Sequence, residues 1–180
     1  MKPTLESLIE QTEIRHIAIE GVIGAGKTSL SKLLSEKLPA KLVLEQFDEN
    51  PFLAKFYEDQ QRFAFQTQLF FLLNRYKQQQ ELIQVDLFHR FLLADYIFEK
   101  DKIFAYLNLE DDELKLYETV MGAIEHRVPT PDLVVYIQCS VERLMANIRL
   151  RGREFERNMP EQYIRDLNDQ VPRMNESIAM

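Results

Sequence analysis

The chain has 180 residues, 46% of them hydrophobic and 28% charged, which is enough to bury one sizeable core, so we expect a single domain over residues 1–180. A net charge of -7 and a pI near 5.1 argue against a nucleic-acid binder, because phosphate backbones require a broad basic surface. Cys139 is the only cysteine, which excludes an intramolecular disulfide and favours a reducing compartment. The first twelve residues include Glu6 and Glu10, unlike a signal peptide, and no apolar run approaches the ~20 residues that span a membrane. We therefore expect a cytoplasmic protein with neither nucleic-acid nor membrane partners.

Strand-like and helix-like segments alternate along the chain, which predicts an α/β fold in which helices cover a parallel sheet. Short apolar segments predict four strands, at residues 16–19, 42–44, 91–94 and 133–137. Helical spacing and capping residues predict helices at 29–38, from Asn50-Pro51, at 62–83, at 111–125, from Ser140 to Arg151 and from about Pro160. No repeat or low-complexity segment interrupts this order.

The turn between the first predicted strand and helix matches G-x-x-x-x-G-K-[ST], the pattern of a phosphate-binding loop. Its residues are Gly21, Val22, Ile23, Gly24, Ala25, Gly26, Lys27 and Thr28, with Ser29 next in the helix. Glycines let backbone N–H groups approach phosphate oxygens, Lys27 adds a positive charge, and the Thr28 hydroxyl can ligate Mg²⁺. The positive end of the helix favours an anion at the same place. We therefore expect this loop to bind nucleotide phosphates, with Thr28 as the metal ligand.

Two acidic residues follow predicted strands. Glu45 comes after the second strand and Asp95 directly after the third. Because the carboxyl ends of parallel strands meet at one edge of a sheet, we expect both carboxylates beside the phosphate-binding loop. A carboxylate at the position of Glu45 can accept a proton from an attacking hydroxyl or hold Mg²⁺ through water. The alternative for Glu45 is a solvated residue at the end of a strand.

Gln66 shares a predicted helix face with apolar residues, namely Phe63, Leu69, Phe70 and Leu73. This spacing predicts that the Gln66 carboxamide is buried and needs hydrogen-bond partners. Its donor and acceptor pair is suited to the edge of a nucleobase. The alternative is a glutamine that bonds to backbone or water.

The only dense positive cluster of this acidic chain consists of Arg149, Arg151, Arg153 and Arg157. Gly152 breaks the predicted helix inside the cluster, which predicts a mobile flap that closes guanidinium groups over a transferring phosphate. The alternative is a solvated basic face. Glu156 follows closely, and it can reach a sugar hydroxyl or pair with these arginines.

Several further segments follow one another along the chain: Glu20 to Thr28, Leu44-Glu45 with Glu49-Asn50-Pro51-Phe52, Tyr57-Glu58, Phe65-Gln66-Thr67, and Arg151-Gly152-Arg153 with Glu156. Taken together and in this order, they resemble the bacterial branch of the deoxynucleoside kinase family. The resemblance runs from about Ile14 to Asn168. It implies a P-loop NTPase fold with a doubly wound parallel sheet, and an enzyme that uses ATP and Mg²⁺ to phosphorylate the 5′-hydroxyl of a deoxynucleoside.

The resemblance also implies roles for individual residues. Glu45 would be the base that activates the 5′-hydroxyl, and Gln66 would hydrogen-bond the nucleobase. Tyr57 and Glu156 would hold the 3′-hydroxyl, and Asp95 would fill the acidic position of the family's Asp-Arg-Ser or Glu-Arg-Ser motif. Arg151 and Arg153 would be lid arginines on the donor phosphates, which Lys27 of the loop also binds.

The sequence departs from the family pattern in two side chains of the expected site. After Asp95, the Arg and Ser of the family are replaced by Tyr96 and Ile97. The earlier lid arginine of the family is replaced by Asn147, with Arg149 as the nearest substitute. From Asp169 onwards the resemblance is lost, so the strand and adenine-contacting loop that follow in the family are expected to be missing, with the sheet lacking its C-terminal edge strand.

Two other functions remain open at this stage. One is a nucleoside monophosphate kinase on the same fold, although a carboxylate and a glutamine in the acceptor site favour a neutral hydroxyl. The other is a nucleotide-binding protein with little or no kinase activity. We also expect a homodimer, because the predicted helices from Arg62 and Asp111 carry more apolar surface than one domain buries and because the family is commonly dimeric.

Overall fold

The computed structural model describes residues 12–82, 89–157 and 159–178, and four parallel strands form the sheet within them. The strands are β1 (His16–Gly21), β2 (Ala40–Val43), β3 (Phe91–Ala94) and β4 (Leu133–Ile137). The helices are α1 (Lys27–Ser35), α2 (Leu53–Glu58), α3 (Gln60–Leu82), α4 (Lys100–Asn108), α5 (Asp111–Ile124), α6 (Val141–Arg151) and α7 (Glu161–Ile178). Short 3₁₀ turns lie at Phe47–Glu49, Glu125–Arg127 and Glu154–Glu156.

The strand order is β2-β3-β1-β4, so strands are added on both sides of β1, as in a doubly wound sheet. In the register, Ile17 pairs with Leu93 and Ala18 pairs with Ala94. The expected α/β fold with a parallel sheet is confirmed. Because all strands run in one direction, the segments after β1, β2 and β3 meet at one edge, and these segments carry the phosphate-binding loop, Glu45 and Asp95.

The two faces of the sheet differ in chemistry because side chains alternate along a strand. Ile17 and Ile19 of β1 belong to a buried apolar cluster that includes Phe91 and Leu93 and packs against α1. Glu20 lies one residue further and therefore points to the opposite face, where it is fully buried. A buried carboxylate needs a partner, and Lys100 of α4 supplies one in an ion pair with Glu20.

The predicted helices are observed with small shifts, and one helix was not predicted. α2 begins at Leu53 rather than at Pro51, because the Asn50 side chain accepts a hydrogen bond from the Phe52 N–H and forms a turn before the helix. The predicted end of the long helix at Ile83 lies outside the described residues. The missed helix is α4, a nine-residue element between β3 and α5 that is too short to give a clear apolar period.

The segment of the arginine cluster has the predicted break. Ser140 caps α6 by accepting a hydrogen bond from the Arg143 N–H at 3.4 Å. Gly152 ends this helix with φ 64°, a left-handed conformation that favours glycine. Among the described residues, no helix is long and apolar enough to cross a bilayer.

Candidate active site

Two cavities share residues of the phosphate-binding loop. The inner cavity is lined by aromatic side chains and by the polar residues Glu45, Gln68, Arg75, Lys100 and Glu156. The loop cavity is lined by Gly24, Gly26, Ser29, Asn147 and Leu150. Both cavities are lined by Lys27, Thr28, Arg151 and Arg153. Positive charge is therefore concentrated where the two cavities adjoin.

The loop after β1 is shaped to accept an anion. Gly24 has φ 86°, and a Cβ there would lie 2.7 Å from the Leu144 carbonyl oxygen, so only glycine fits without movement. The Asn147 amide donates to the Gly24 carbonyl oxygen at 2.8 Å and fastens the loop to α6. The side chains of Val22 and Ala25 are buried, so only their backbone groups are available to a bound phosphate. With the start of α1 directly behind it, the loop fits a bound phosphate group.

Lys27 folds back on the loop in this structure. Its ammonium donates to the carbonyl oxygens of Gly21 at 3.0 Å and Val22 at 3.3 Å. Burial, together with the nearby Lys100, lowers the pKa of Lys27 to about 8, although Glu20 and other carboxylates act in the opposite direction. A phosphate group would oppose this shift, because an anion favours the charged ammonium.

Asp95 connects two parts of the site. Its Oδ2 accepts a hydrogen bond from the Thr28 hydroxyl at 2.5 Å, and its Oδ1 accepts one from the Glu45 backbone N–H at 2.7 Å. The predicted meeting of these residues at one edge of the sheet is thus observed. Burial raises the pKa of Asp95, and the hydrogen bond from Thr28 counteracts this effect.

A hydroxyl and a carboxylate side by side are suitable ligands for Mg²⁺, which prefers oxygen. Among the residues that the structure describes, no three histidine, cysteine or acidic side chains are grouped as a metal site. Proteins usually bind Mg²⁺ through one or two side-chain oxygens together with substrate phosphates and water, and Thr28 and Asp95 fit that pattern.

Glu45 is a charged carboxylate in the inner cavity. Its Oε1 accepts a hydrogen bond from the Arg75 Nε at 3.0 Å and also contacts the Arg75 Nη2. Burial would raise the pKa of Glu45, but Arg75, Lys100 and Lys27 together hold it at about 2. Glu45 is therefore ionised near neutral pH and able to accept a proton.

Gln66 is not buried, and its predicted place on an inward face of the helix is wrong. It is exposed on α3, whereas Gln68 is 3% exposed and lines the inner cavity. The buried face of α3 runs through Ala64, Gln68, Leu72, Arg75 and Gln79. Because apolar side chains are distributed almost evenly around this helix, the sequence left its buried face undetermined.

Arg75, Asp101 and Lys100 are site residues that sequence reasoning missed. Arg75 is 6% exposed and also forms an ion pair with the fully buried Asp101 at the start of α4. Lys100 is 5% exposed and forms an ion pair with Glu20. Arg75 lies seven residues after Gln68 and hence on the same helix face, but this spacing became informative only once the structure showed that Gln68 is buried. Lys100 and Asp101 gave no signal, because α4 itself was not predicted.

The arginine-rich segment contacts the inner cavity through two of its arginines. Arg151 forms a two-point ion pair with Glu156, with Nε–Oε2 at 2.7 Å and Nη2–Oε1 at 2.5 Å. Arg153 lies 3.7 Å from the centre of the Phe47 ring and 3.5 Å from Glu156. Arg149 is exposed on α6 and lies outside the lining of both cavities, so the structure does not bring it to the site.

Aromatic rings form one wall of the inner cavity. Tyr57 stacks on Phe155 with ring centres 6.0 Å apart and an interplanar angle of 14°. Burial, with Tyr163 and Glu156 nearby, raises the pKa of Tyr57 well above its usual value. The Tyr57 hydroxyl therefore keeps its proton and can donate a hydrogen bond inside the cavity.

Comparison with known proteins agrees with this geometry. A sequence model described as deoxynucleoside kinase matches residues 17–178. The chain belongs to the deoxynucleoside kinase family. The match continues past Asn168, where the resemblance noted in the sequence was expected to end, and includes the whole of α7 as far as Ile178.

Relatives in this family carry kinase names. The chain is 37% identical over 157 residues to a deoxyguanosine kinase of Bacillus subtilis (strain 168), covering 84% of this chain and 73% of the relative. It is 31% identical over 159 residues to a deoxyadenosine/deoxycytidine kinase of the same organism, covering 84% and 72%. A structure of deoxyadenosine kinase from M. mycoides with bound dATP superposes with a TM-score of 0.80 at 25% identity, covering 92% of this chain and 86% of the other. The fold is accordingly that of the P-loop NTPase-like deoxynucleoside kinases.

Proposed function

We propose that this chain transfers the γ-phosphoryl group of ATP to the 5′-hydroxyl of a deoxynucleoside, giving the deoxynucleoside 5′-monophosphate for nucleotide salvage. The observation that carries this proposal is the position of Glu45. Its carboxylate is ionised, it lines the inner cavity, and its backbone is tied through Asp95 to Thr28 of the phosphate-binding loop. A base is therefore held beside the place where donor phosphates would bind.

The donor side of the reaction depends on positioning and charge. The loop backbone and Lys27 would bind the β- and γ-phosphates, and Arg151 and Arg153 would close on them from the lid. Thr28 and Asp95 would hold Mg²⁺, which supplies further neutralisation of phosphate charge when it is bound. Glu45 accepts the proton of the 5′-hydroxyl as the new P–O bond forms and the bond to the ADP oxygen breaks.

The acceptor side lies in the inner cavity. Gln68, rather than Gln66, would hydrogen-bond the nucleobase, because its buried Oε1 has no hydrogen-bond partner among the described residues and the residue lines this cavity. Tyr57 and Glu156, which lie close together, would hold the 3′-hydroxyl. We propose a purine deoxynucleoside as acceptor, since the relatives of this chain include a deoxyguanosine kinase and a deoxyadenosine/deoxycytidine kinase.

A nucleoside monophosphate is a poorer acceptor for this cavity. Its phosphate would stand beside the ionised Glu45, and like charges at close range repel each other. The guanidinium of Arg75 is already occupied by Glu45 and Asp101. The charges directly around Glu45 therefore favour an uncharged hydroxyl there.

The test is ATP consumption by the purified chain with Mg²⁺ and each of deoxyguanosine, deoxyadenosine, deoxycytidine and thymidine, with deoxyadenosine monophosphate as a fifth acceptor. We expect turnover to be fastest with one of the two purine deoxynucleosides. Turnover only with the monophosphate would replace this proposal with a monophosphate kinase. Nucleotide binding by a folded sample without any turnover would replace it with a nucleotide-binding protein.

A further inference from the structure

Lys100 is a buried ammonium at the first residue of α4 that lines the inner cavity. Its Nζ lies 2.6 Å from the Glu20 Oε1 and donates to the Gly21 carbonyl oxygen at 2.5 Å. Glu20 Oε1 also accepts a hydrogen bond from the Gly21 N–H at 2.6 Å. Both partners of the Glu20–Lys100 ion pair therefore hydrogen-bond to Gly21, the first residue of the phosphate-binding loop.

Two ammonium groups converge on that residue. Lys27 and Lys100 both donate to the Gly21 carbonyl oxygen, one from the loop and the other from α4. Lys100 also helps to lower the pKa of Glu45, as Lys27 does, so its ammonium lies near the proposed base. Lys100 is therefore close to the donor-phosphate loop and faces the cavity that would hold the acceptor.

The residue directly after Asp95 does not supply a positive charge at this edge. Tyr96 is 1% exposed, and its hydroxyl accepts a hydrogen bond from the Gln79 side chain at 3.2 Å. The chain continues through the buried Ile97 and Phe98 and then turns into α4, which returns Lys100 to the carboxyl edge of the sheet. Besides Lys27, this edge thus receives a cation from the start of α4 and none from the residue that follows Asp95.

We propose that Lys100 is a second phosphate-binding ammonium of this site, which contacts the transferring γ-phosphoryl group from the acceptor side while Lys27 contacts it from the loop. This inference rests on the proposed function. Lys100 forms no covalent bond, and Glu45 remains the group that accepts the hydroxyl proton. The Glu20 ion pair holds the side chain near the loop while no phosphate is bound.

The competing explanation is that Lys100 only neutralises the buried Glu20. The variant Lys100→Met alone does not separate the two, because it leaves Glu20 buried without a partner and can unfold the chain. The double variant Glu20→Gln with Lys100→Met removes both charges and restores neutrality. Lys100→Arg keeps a cation at the same place, and Lys102→Met is a matched control, because Lys102 lies on the same helix but pairs with Glu125 on the surface.

The first measurement is the ratio of ATP to ADP affinity by titration calorimetry, which needs no turnover. If Lys100 contacts the γ-phosphoryl group, the double variant should bind ATP about ten- to hundredfold more weakly and ADP nearly as well as the wild type. The variant Lys100→Arg should retain part of the preference for ATP over ADP, and Lys102→Met should retain all of it. An unchanged ATP-to-ADP ratio in a folded double variant would overturn the proposal, whether or not the chain is active.

The second measurement is steady-state turnover of the variants with the best deoxynucleoside. The double variant should lose about 10²–10³ in kcat, as is typical when one group that stabilises developing charge is removed, with little change in the KM for the deoxynucleoside. Wild-type kcat in the double variant would show that Lys100 serves Glu20 alone. If the wild type has no turnover, the proposed function fails, and the affinity ratio still decides the role of Lys100.

Discussion

Glu45 is the side chain on which the proposed chemistry depends most directly. Glu45→Gln keeps the size of the side chain and the backbone link to Asp95 but removes the proton acceptor. We expect kcat to fall about 10²–10⁴-fold, the usual contribution of a general base, while ATP affinity changes little. Steady-state kinetics with a saturating deoxynucleoside measures this directly, and an unchanged kcat would exclude Glu45 as the base.

Gln66 and Gln68 form a matched pair two residues apart on α3. Gln68 is buried at the inner cavity, whereas Gln66 is exposed. We expect Gln68→Ala to raise the KM for the deoxynucleoside about ten- to hundredfold, because a buried base edge would lose its partner, with little effect on the KM for ATP. Gln66→Ala should change neither value. Equal effects of the two variants would contradict the assignment to Gln68.

The pKa of Lys27, lowered by burial to about 8, predicts a pH effect on nucleotide binding. Above that pH, most Lys27 side chains of the free chain are deprotonated. Because bound phosphate raises the pKa of Lys27 again, nucleotide binding takes up a proton and weakens as the pH rises. Calorimetry at about pH 8.5 in buffers of different ionisation enthalpy measures this uptake. In Lys27→Arg the uptake should disappear, because guanidinium stays protonated. Equal uptake in both proteins would assign the proton to another group.

At the scale of elements, the phosphate-binding loop has no room for added side chains at its centre. Gly24→Ala would place a Cβ 2.7 Å from the Leu144 carbonyl oxygen at a positive φ, so the loop must shift away from α6. We expect ATP affinity to fall at least tenfold, with unfolding still cooperative. Titration with ATP and thermal unfolding measure the two effects.

Gly122→Ala is the control for that loop variant. Gly122 lies inside α5 with open space around the position of a Cβ. Alanine should therefore raise the free energy of unfolding by about 0.5–1 kcal/mol and leave ATP binding unchanged. A loss of ATP affinity in this variant would show that the effect at Gly24 is not specific to the loop.

At the scale of the whole molecule, we predict that the chain forms a homodimer through α3 and α5. These helices pack against each other, and each exposes a large apolar side chain, Leu73 on α3 and Leu116 on α5. Light scattering after size exclusion should give a dimer for the wild type and a monomer for the variant Leu73→Lys with Leu116→Lys. Leu33→Lys on α1 is the control, since Leu33 is similarly exposed on a different helix. A monomeric wild type would refute the prediction.

The order of elements was largely predictable from the sequence, because it depends on local signals. The strands at Phe91–Ala94 and Leu133–Ile137 were predicted at their observed bounds, since each is a short apolar run bordered by polar residues. The helix Lys100–Asn108 was missed, since buried residues precede it and its own apolar pattern covers little more than two turns. This one omission also concealed two charged residues of the site.

The sequence by itself determined the phosphate-binding loop and its meeting with Glu45 and Asp95. The loop is a contiguous segment whose chemistry follows from its residue types, and parallel strands bring their carboxyl ends to one edge. The tertiary structure alone decided that Gln68 faces the cavity, that Arg75 holds Glu45, and that Lys100 reaches Gly21. The physical reason is that these contacts join residues distant in sequence, and which face of a helix is buried depends on the neighbours that pack against it.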